Sequence, residues 1–192
     1  MGRTKEFDPD VALRAAMELF WRQGYEATSM QDLVDHIGVN RASIYATFGG
    51  KHELYLRALD RYAEDTDAII LSGLSKAGPV LPEVRGVVRR YVQDSLQDQE
   101  RRGCLVTNTA VELLPGDPAA GRRVELSLDG LERVLTGALI RAQDQGELSA
   151  DRDPRALARF LVTFLQGIRV IAKTPDPRRL ADAATQALSL LD

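Results

Sequence analysis

The chain has 192 residues, 44% hydrophobic and 28% charged, enough to close one core or two joined ones without staples. Its one cysteine, Cys104, excludes an intramolecular disulfide, and its two histidines, His36 and His52, lack the company of a zinc-ligand cluster. A formal charge of −3, with six Lys/Arg against seven Asp/Glu in the first 52 residues, excludes a hold on nucleic acid through bulk charge, so any such hold rests on placement.

Apolar residues recur at three and four positions rather than two, which predicts an all-α fold of about nine helices. The first, about Pro9 to Gln23, carries Ala12, Ala15, Ala16, Leu19 and Phe20 on one stripe, with Asp8 as N-cap, Pro9 in the first turn and Gly24 as the stop. A second helix is expected from Thr28, whose hydroxyl would form a capping box with Gln31, to about Ile37. Gly38-Val39-Asn40 makes a tight turn, and Asn40 caps a third helix running to about Phe48. Two short helices joined by such a turn form a helix-turn-helix pattern, with Leu33, Ile37, Val39, Ile44 and Phe48 spaced as its small core.

Gly49-Gly50 interrupts the chain before a long helix from Lys51 to about Ser72, and Gly73 to Pro82 reads as a linker. Further helices are expected at about Glu83–Gln97, Leu105–Leu113, Pro118–Gln145, Pro154–Lys173 and Pro177–Leu191, separated most clearly by the prolines at 115 and 175. The last two have the strongest stripes: Leu157, Phe160, Leu161, Phe164, Leu165 and Ile168, then Leu180, Ala183, Ala184, Ala187, Leu188 and Leu191. The eighth helix also bears Val162, Val170 and Ile171 off its stripe, an arc too wide for one contact, which fits either a partner subunit or a fully buried central helix. Of these residues Leu157, Phe160, Leu161, Phe164, Leu180, Ala184 and Leu188 are the expected dimer interface.

The segment TSMQDLVDHIGVNRASIYATFGGKHEL, Thr28 to Leu54, resembles the TetR family of regulators: a capped helix, a Gly-Val turn, and a third helix ending in Tyr-x-x-Phe followed closely by Lys and Leu. The resemblance implies a DNA-binding unit over residues 1–50 and an effector-binding and dimerisation unit over 51–192. By it, Thr28, Tyr45 and Lys51 contact phosphates, while Arg41, Ser43 and Thr47 read bases or phosphates and Ala42 and Ala46 lie against thymine methyls. Arg3 and Lys5 form a short basic arm. Gly50 departs from the family's usual Ser or Asn cap, and His52 from its more typical acid.

RRGCLVTNTAVEL, Arg101 to Leu113, further resembles a subset of the family with Gly-Cys-Leu-x-x-Asn opening the sixth helix. Cys104 at a helix start beside Arg101 and Arg102 has the setting of a lowered thiol pKa, and equally that of a small packed residue. Tyr91, Cys104, Asn108, Phe164 and Arg169 are the effector-site candidates.

The resulting expectation is a cytoplasmic homodimeric transcriptional regulator on a palindromic double-stranded DNA operator, most simply a repressor released by a small molecule, with no cofactor and no membrane. No apolar run approaches a span of about 18 residues, and the N-terminal segment is charged. Two alternatives stand beside it: a thiol-based sensor of the same fold acting through Cys104, and a helical interaction module without DNA binding. An enzyme fares poorly, since no nucleophile elbow, His-Glu-x-x-His or phosphate-cradling glycine loop is present, and Glu147, Asp151 and Asp153 sit where Pro154 marks a helix start.

Overall fold

In a computed structural model, residues 7–75, 77–174 and 176–192 are described, and the basic arm of Arg3 and Lys5 lies outside them. Among the described residues the chain forms nine helices: α1 (Pro9–Gln23), α2 (Met30–Ile37), α3 (Arg41–Phe48), α4 (Lys51–Leu74), α5 (Leu81–Gln97), α6 (Leu105–Leu113), α7 (Pro118–Asp144), α8 (Pro154–Ile171) and α9 (Pro177–Ser189). Proline in the first turn of α1, α5, α7, α8 and α9 explains most of the starts, because its missing N–H falls where no intrahelical acceptor exists. Asp8, Asp117, Asp153 and Asp176 then cap four of these helices with side-chain oxygens.

Two starts differ from the sequence-based expectation. Helix α2 begins after Ser29, whose hydroxyl accepts from the Asp32 amide at 3.1 Å while the Asp32 carboxylate accepts from the Ser29 amide at 2.8 Å. Thr28, expected to be this cap, is fully buried and turns back to donate its hydroxyl to the Gly24 carbonyl at 2.6 Å, closing the end of α1. Helix α5 begins at Leu81 rather than Glu83, because Pro82 sits inside its first turn and Glu147 takes over the missing cap, accepting from the amides of Val80 and Leu81 at 3.2 and 2.7 Å.

The interior gathers into two main centres and a smaller third one. The N-terminal one gathers Ala16, Leu19 and Phe20 of α1, Leu33 of α2, Ile44 and Phe48 of α3, Leu54, Tyr55 and Leu59 of α4, and Leu105 and Val106 of α6. The C-terminal one joins the far end of α4 at Ile70 and Leu74 to α5, α7 and α8 through Val84, Val88, Leu135, Leu139, Leu161 and Leu165. Helix α4, 24 residues and so roughly 36 Å long, therefore runs from one centre into the other.

The division at residue 50 is consequently not a break in packing: α4 and α6 complete the core that holds α1 to α3. Hydrogen bonds reinforce that junction. Trp21 donates its Nε1–H to the Gly103 carbonyl at 3.1 Å, and the Glu112 carboxylate accepts from the amides of Tyr25 and Glu26 at 3.0 and 2.8 Å. The Tyr55 and Thr109 hydroxyls meet at 2.8 Å in the interior. His52 Nε2 lies 2.6 Å from Asp117, the cap of α7.

The stripes of α8 and α9 have a different use from the one expected. Leu157 and Leu161 face the C-terminal core, and Leu180 and Ala184 pack with Val92 and Ile168 of α5 and α8, so these four belong to the interior of the single chain. They are the side chains that fix α8 and α9 on the body. Leu188 is half-buried against the same core, Phe164 is half-buried between two clusters, and Phe160, stacked on Phe164 with centroids 6.1 Å apart, is 40% exposed. The second apolar face of α8 is present at the surface as Phe160, Val170 and Ile171.

Candidate nucleic-acid interface and its link to an internal cavity

Helix α3 owes its position to a left-handed turn. Gly38 takes φ 74° and ψ 23°, a conformation that is costly for a residue with a Cβ, and Asn40 then accepts the Ser43 amide at 2.9 Å to start the helix. Leu33 and Ile44 are fully buried and Phe48 nearly so, with Ile37 and Val39 packed against them, so α3 is seated by one face only. Its other face carries Arg41, Ala42, Tyr45 and Ala46 exposed and Ser43 and Thr47 half-exposed. A rod with small residues at its centre and hydrogen-bonding tips at its ends fits a major groove about 12 Å wide.

The flanks supply positioning groups. Tyr45 is 48% exposed, and Gly50, in place of the usual cap, takes φ 148°, a conformation side chains rarely adopt, where a Cβ would lie 3.2 Å from Glu53 Oε2. Lys51 holds its Nζ 4.2 Å from the centroid of the Tyr25 ring, a cation–π contact that restrains the ammonium at the start of α4. Arg57, one turn and a half further along α4, reaches the Thr47 carbonyl at 3.5 Å and lies 5.7 Å from the Phe48 ring centroid.

Thr28 does not join this surface, since it is buried with its hydroxyl engaged. Ser29, exposed at the start of α2, takes its place beside the first amides of that helix, where an anion is favoured. The signal is in the sequence, because Ser29-x-x-Asp32 is itself a capping box overlapping Thr28-x-x-Gln31.

A cavity of about 370 Å³ lies between α4, α5 and α8. Tyr62, Ile69, Ile70, Val87 and Tyr91 give it apolar walls, and α1 reaches it through Trp21. Of the effector-site candidates, Tyr91 and Arg169 line this cavity. Phe164 does not, being packed between core clusters. Asn108 borders a separate surface groove, donating to the Arg102 carbonyl at 2.8 Å and accepting from Lys173 at 3.1 Å.

Cys104 is 8% exposed at the entry to α6, shut in beside Tyr62 and Tyr91. Arg102, expected to polarise its thiol, is taken up elsewhere, 3.3 Å from Asp98 and from Glu100 with its guanidinium 4.2 Å above the Trp21 ring. Burial pushes the Tyr62 hydroxyl well above the ordinary phenol range, with the neighbouring cysteine acting in the same direction. Sequence reasoning missed Trp21, Tyr62 and Arg102 as cavity residues: Trp21 lies off the apolar stripe of α1, Tyr62 reads as an ordinary core position of α4, and Arg102 lies in the segment between α5 and α6.

A capped helix, a left-handed glycine turn and a second short helix presenting a shallow polar face define a helix-turn-helix DNA-binding protein. Residues 12–58 match the model described as bacterial regulatory proteins, tetR family, and residues 80–188 match a tetracyclin repressor-like C-terminal domain. The chain belongs to the TetR family of transcriptional regulators.

It is similar, at 41% identity with both chains covered over their full length, to the uncharacterized HTH-type transcriptional regulator YezE of Bacillus subtilis. The HTH-type transcriptional repressor ComR of Escherichia coli is 31% identical over 90% of this chain and 82% of its own. Among solved structures, a cysteine mutant of the TetR family regulator CifR complexed with 26-base-pair operator DNA superposes with a TM-score of 0.85 at 32% identity, covering 98% of each chain.

Proposed function

We propose that this regulator is a repressor that grips a palindromic operator as a homodimer and releases it when a small molecule occupies the cavity between α4, α5 and α8. Residues 1–50 hold the DNA and residues 51–192 bind the effector and the second subunit. The observation that carries the reading is Trp21: it belongs to α1, which packs on the recognition unit, yet it forms part of the cavity wall. Occupancy of the cavity therefore acts on a helix of the DNA-binding half without an intermediary.

Tyr45, Lys51 and the start of α2 at Ser29 take phosphates, while Arg41, Ser43 and Thr47 face base edges and Ala42 and Ala46 leave room for thymine methyls. A dimer whose recognition helices stand about 34 Å apart reads two half-sites one DNA turn apart. Its contact surface is the outer face of α8 with Phe160, Val170 and Ile171, all exposed on the single chain. Its proposed work on chromosomal DNA is cytoplasmic work; no helix among the described residues is long and apolar enough to cross a membrane. The name of ComR, a repressor, supports the direction of control.

The test is a gel shift with the gene's own upstream region over a range of salt concentrations, paired with a reporter driven by that region. Saturable binding that weakens steeply with salt, and a rise in reporter output on deletion of the gene, are expected. Absence of binding on every fragment at low salt, or a fall in output on deletion, overturns the proposal.

A further inference from the structure

If the cavity between α4, α5 and α8 is the effector site, a reading on which the ligand class proposed for it depends, its lining also describes the ligand. Its volume, about 370 Å³, is in the range of small-molecule sites. Its aromatic and aliphatic walls call for a flat apolar body. The charged groups decide the rest.

Three arginines line the cavity: Arg90, Arg102 and Arg169. Arg90 is exposed, and Arg102 has two carboxylates, Asp98 and Glu100, each 3.3 Å from its Nε. Arg169 is different. Its side chain is 15% exposed, its guanidinium lies 4.8 Å from the Tyr91 ring centroid, and its one carboxylate within 4 Å among the described residues is Asp94, at 3.9 Å and itself half-exposed.

That separation is too long for a hydrogen bond, and the Arg169 guanidinium makes none among the described residues. Its five N–H donors and full charge are therefore open to the cavity, where a carboxylate can take them in a bidentate pair. A cationic ligand would meet Glu83, Asp94 and Asp98 on the lining, but Asp98 is engaged by Arg102 and the Gly103 amide and Asp94 lies beside Arg169. The aromatic faces that would attract a cation are already covered, Trp21 by Arg102 and Tyr91 by Arg169.

We propose that the cavity binds a small aromatic carboxylate, its anionic group paired with Arg169 and its ring system against Trp21, Tyr62, Ile69, Ile70 and Val87. A ring seated there touches the indole that donates to the Gly103 carbonyl and stacks beneath Arg102, so the ligand meets the junction between α1 and α6 directly.

Trp21 is the chain's one tryptophan, so its indole N–H gives a single NMR resonance that reports occupancy. The full chain is titrated with 2-naphthoate, 2-naphthamide and 2-naphthylmethylamine by calorimetry, and the indole resonance is followed at each step. The carboxylate is expected to bind once per chain at least tenfold tighter than the amide or the amine and to move the resonance. Arg169→Gln removes that preference, and Arg169→Lys retains part of it. Equal binding of the amide or the amine overturns the assignment on the native protein alone, whatever the variants do. Unchanged naphthoate affinity in a folded Arg169→Gln protein overturns it as well.

Affinity for the upstream DNA fragment is measured in the same solutions. Naphthoate that binds through Arg169 without altering DNA affinity upholds the ligand class and overturns the release mechanism, so the two readings fail separately.

Discussion

Tyr45 and Lys51 are the phosphate contacts proposed for a chain with net negative charge. Neither is needed by the core: Tyr45 is 48% exposed, and Lys51 rests on the face of Tyr25. Tyr45→Phe is expected to leave thermal stability unchanged and to weaken operator binding several-fold, about 1 kcal/mol for one hydrogen bond, as read by fluorescence anisotropy. Lys51→Ala should weaken binding about equally on operator and unrelated DNA and reduce the slope of log affinity against log salt by about 1. A sequence-selective loss for Lys51→Ala would assign it to base reading instead.

Asp117 is the residue with the clearest link to pH. The Ala120 amide foremost, then the bond to His52, hold its carboxyl below the ordinary 3.8 in spite of some desolvation. A depressed carboxyl contributes stability that is fully present above its unfolded value and is lost as pH falls through the folded one. Acid unfolding below about pH 4 should therefore be less steep in Asp117→Asn, with stability at neutral pH lowered by up to about 1 kcal/mol for the charge lost at the helix start and beside His52. Denaturant titrations at stepped pH check both parts.

At the scale of elements, the recognition helix depends on very little. Eight residues of α3 are seated by Ile44 and Phe48 against Leu33 and the ends of α1 and α4. Leu33→Ala should cost about 2–5 kcal/mol, a large share of a total of about 5–15 kcal/mol, and abolish DNA binding before the C-terminal core is affected. The amides of α2 and α3 would show this first in hydrogen exchange.

Most of this architecture is legible in local signals. Helix starts at Pro9, Pro118, Pro154 and Pro177 follow from proline and aspartate chemistry, and the glycine at 38 with Asn40 marks the turn. What local signals do not settle is which of two adjacent hydroxyls caps α2, because Thr28 is drawn away by the Gly24 carbonyl, a contact set by how α1 ends. The uses of α8 and α9 are likewise undetermined by periodicity. A stripe of Leu157, Leu161, Leu180 and Ala184 says that a face is buried without saying whether the covering surface belongs to the same chain.

For the whole molecule, exposed apolar side chains occur on several helices, Ile69, Val111 and Leu126 among them, and the proposed dimer contact uses those of α8. Phe160, Val170 and Ile171 are between 40% and 45% exposed on one helix. Phe160→Glu together with Val170→Glu should shift the protein from dimer to monomer in sedimentation, with helicity retained and operator affinity reduced by roughly 100-fold or more, because both half-sites can no longer be held at once. A dimer that persists in this variant would place the contact elsewhere.

The shared core of α1, α4 and α6 also bears on how such a regulator can be rewired. An exchange of DNA specificity that joins two relatives at the glycine pair before Lys51 would leave Phe20 and Tyr25 against a foreign residue at position 55, and Trp21 against a foreign entry to α6 around Gly103. The transplantable piece is instead the surface of α3 alone, or α1 to α3 together with the matching faces of α4 and α6. Descent by shuffling of whole domains would be penalised at this seam, whereas change of the outer residues of one short helix is open to it.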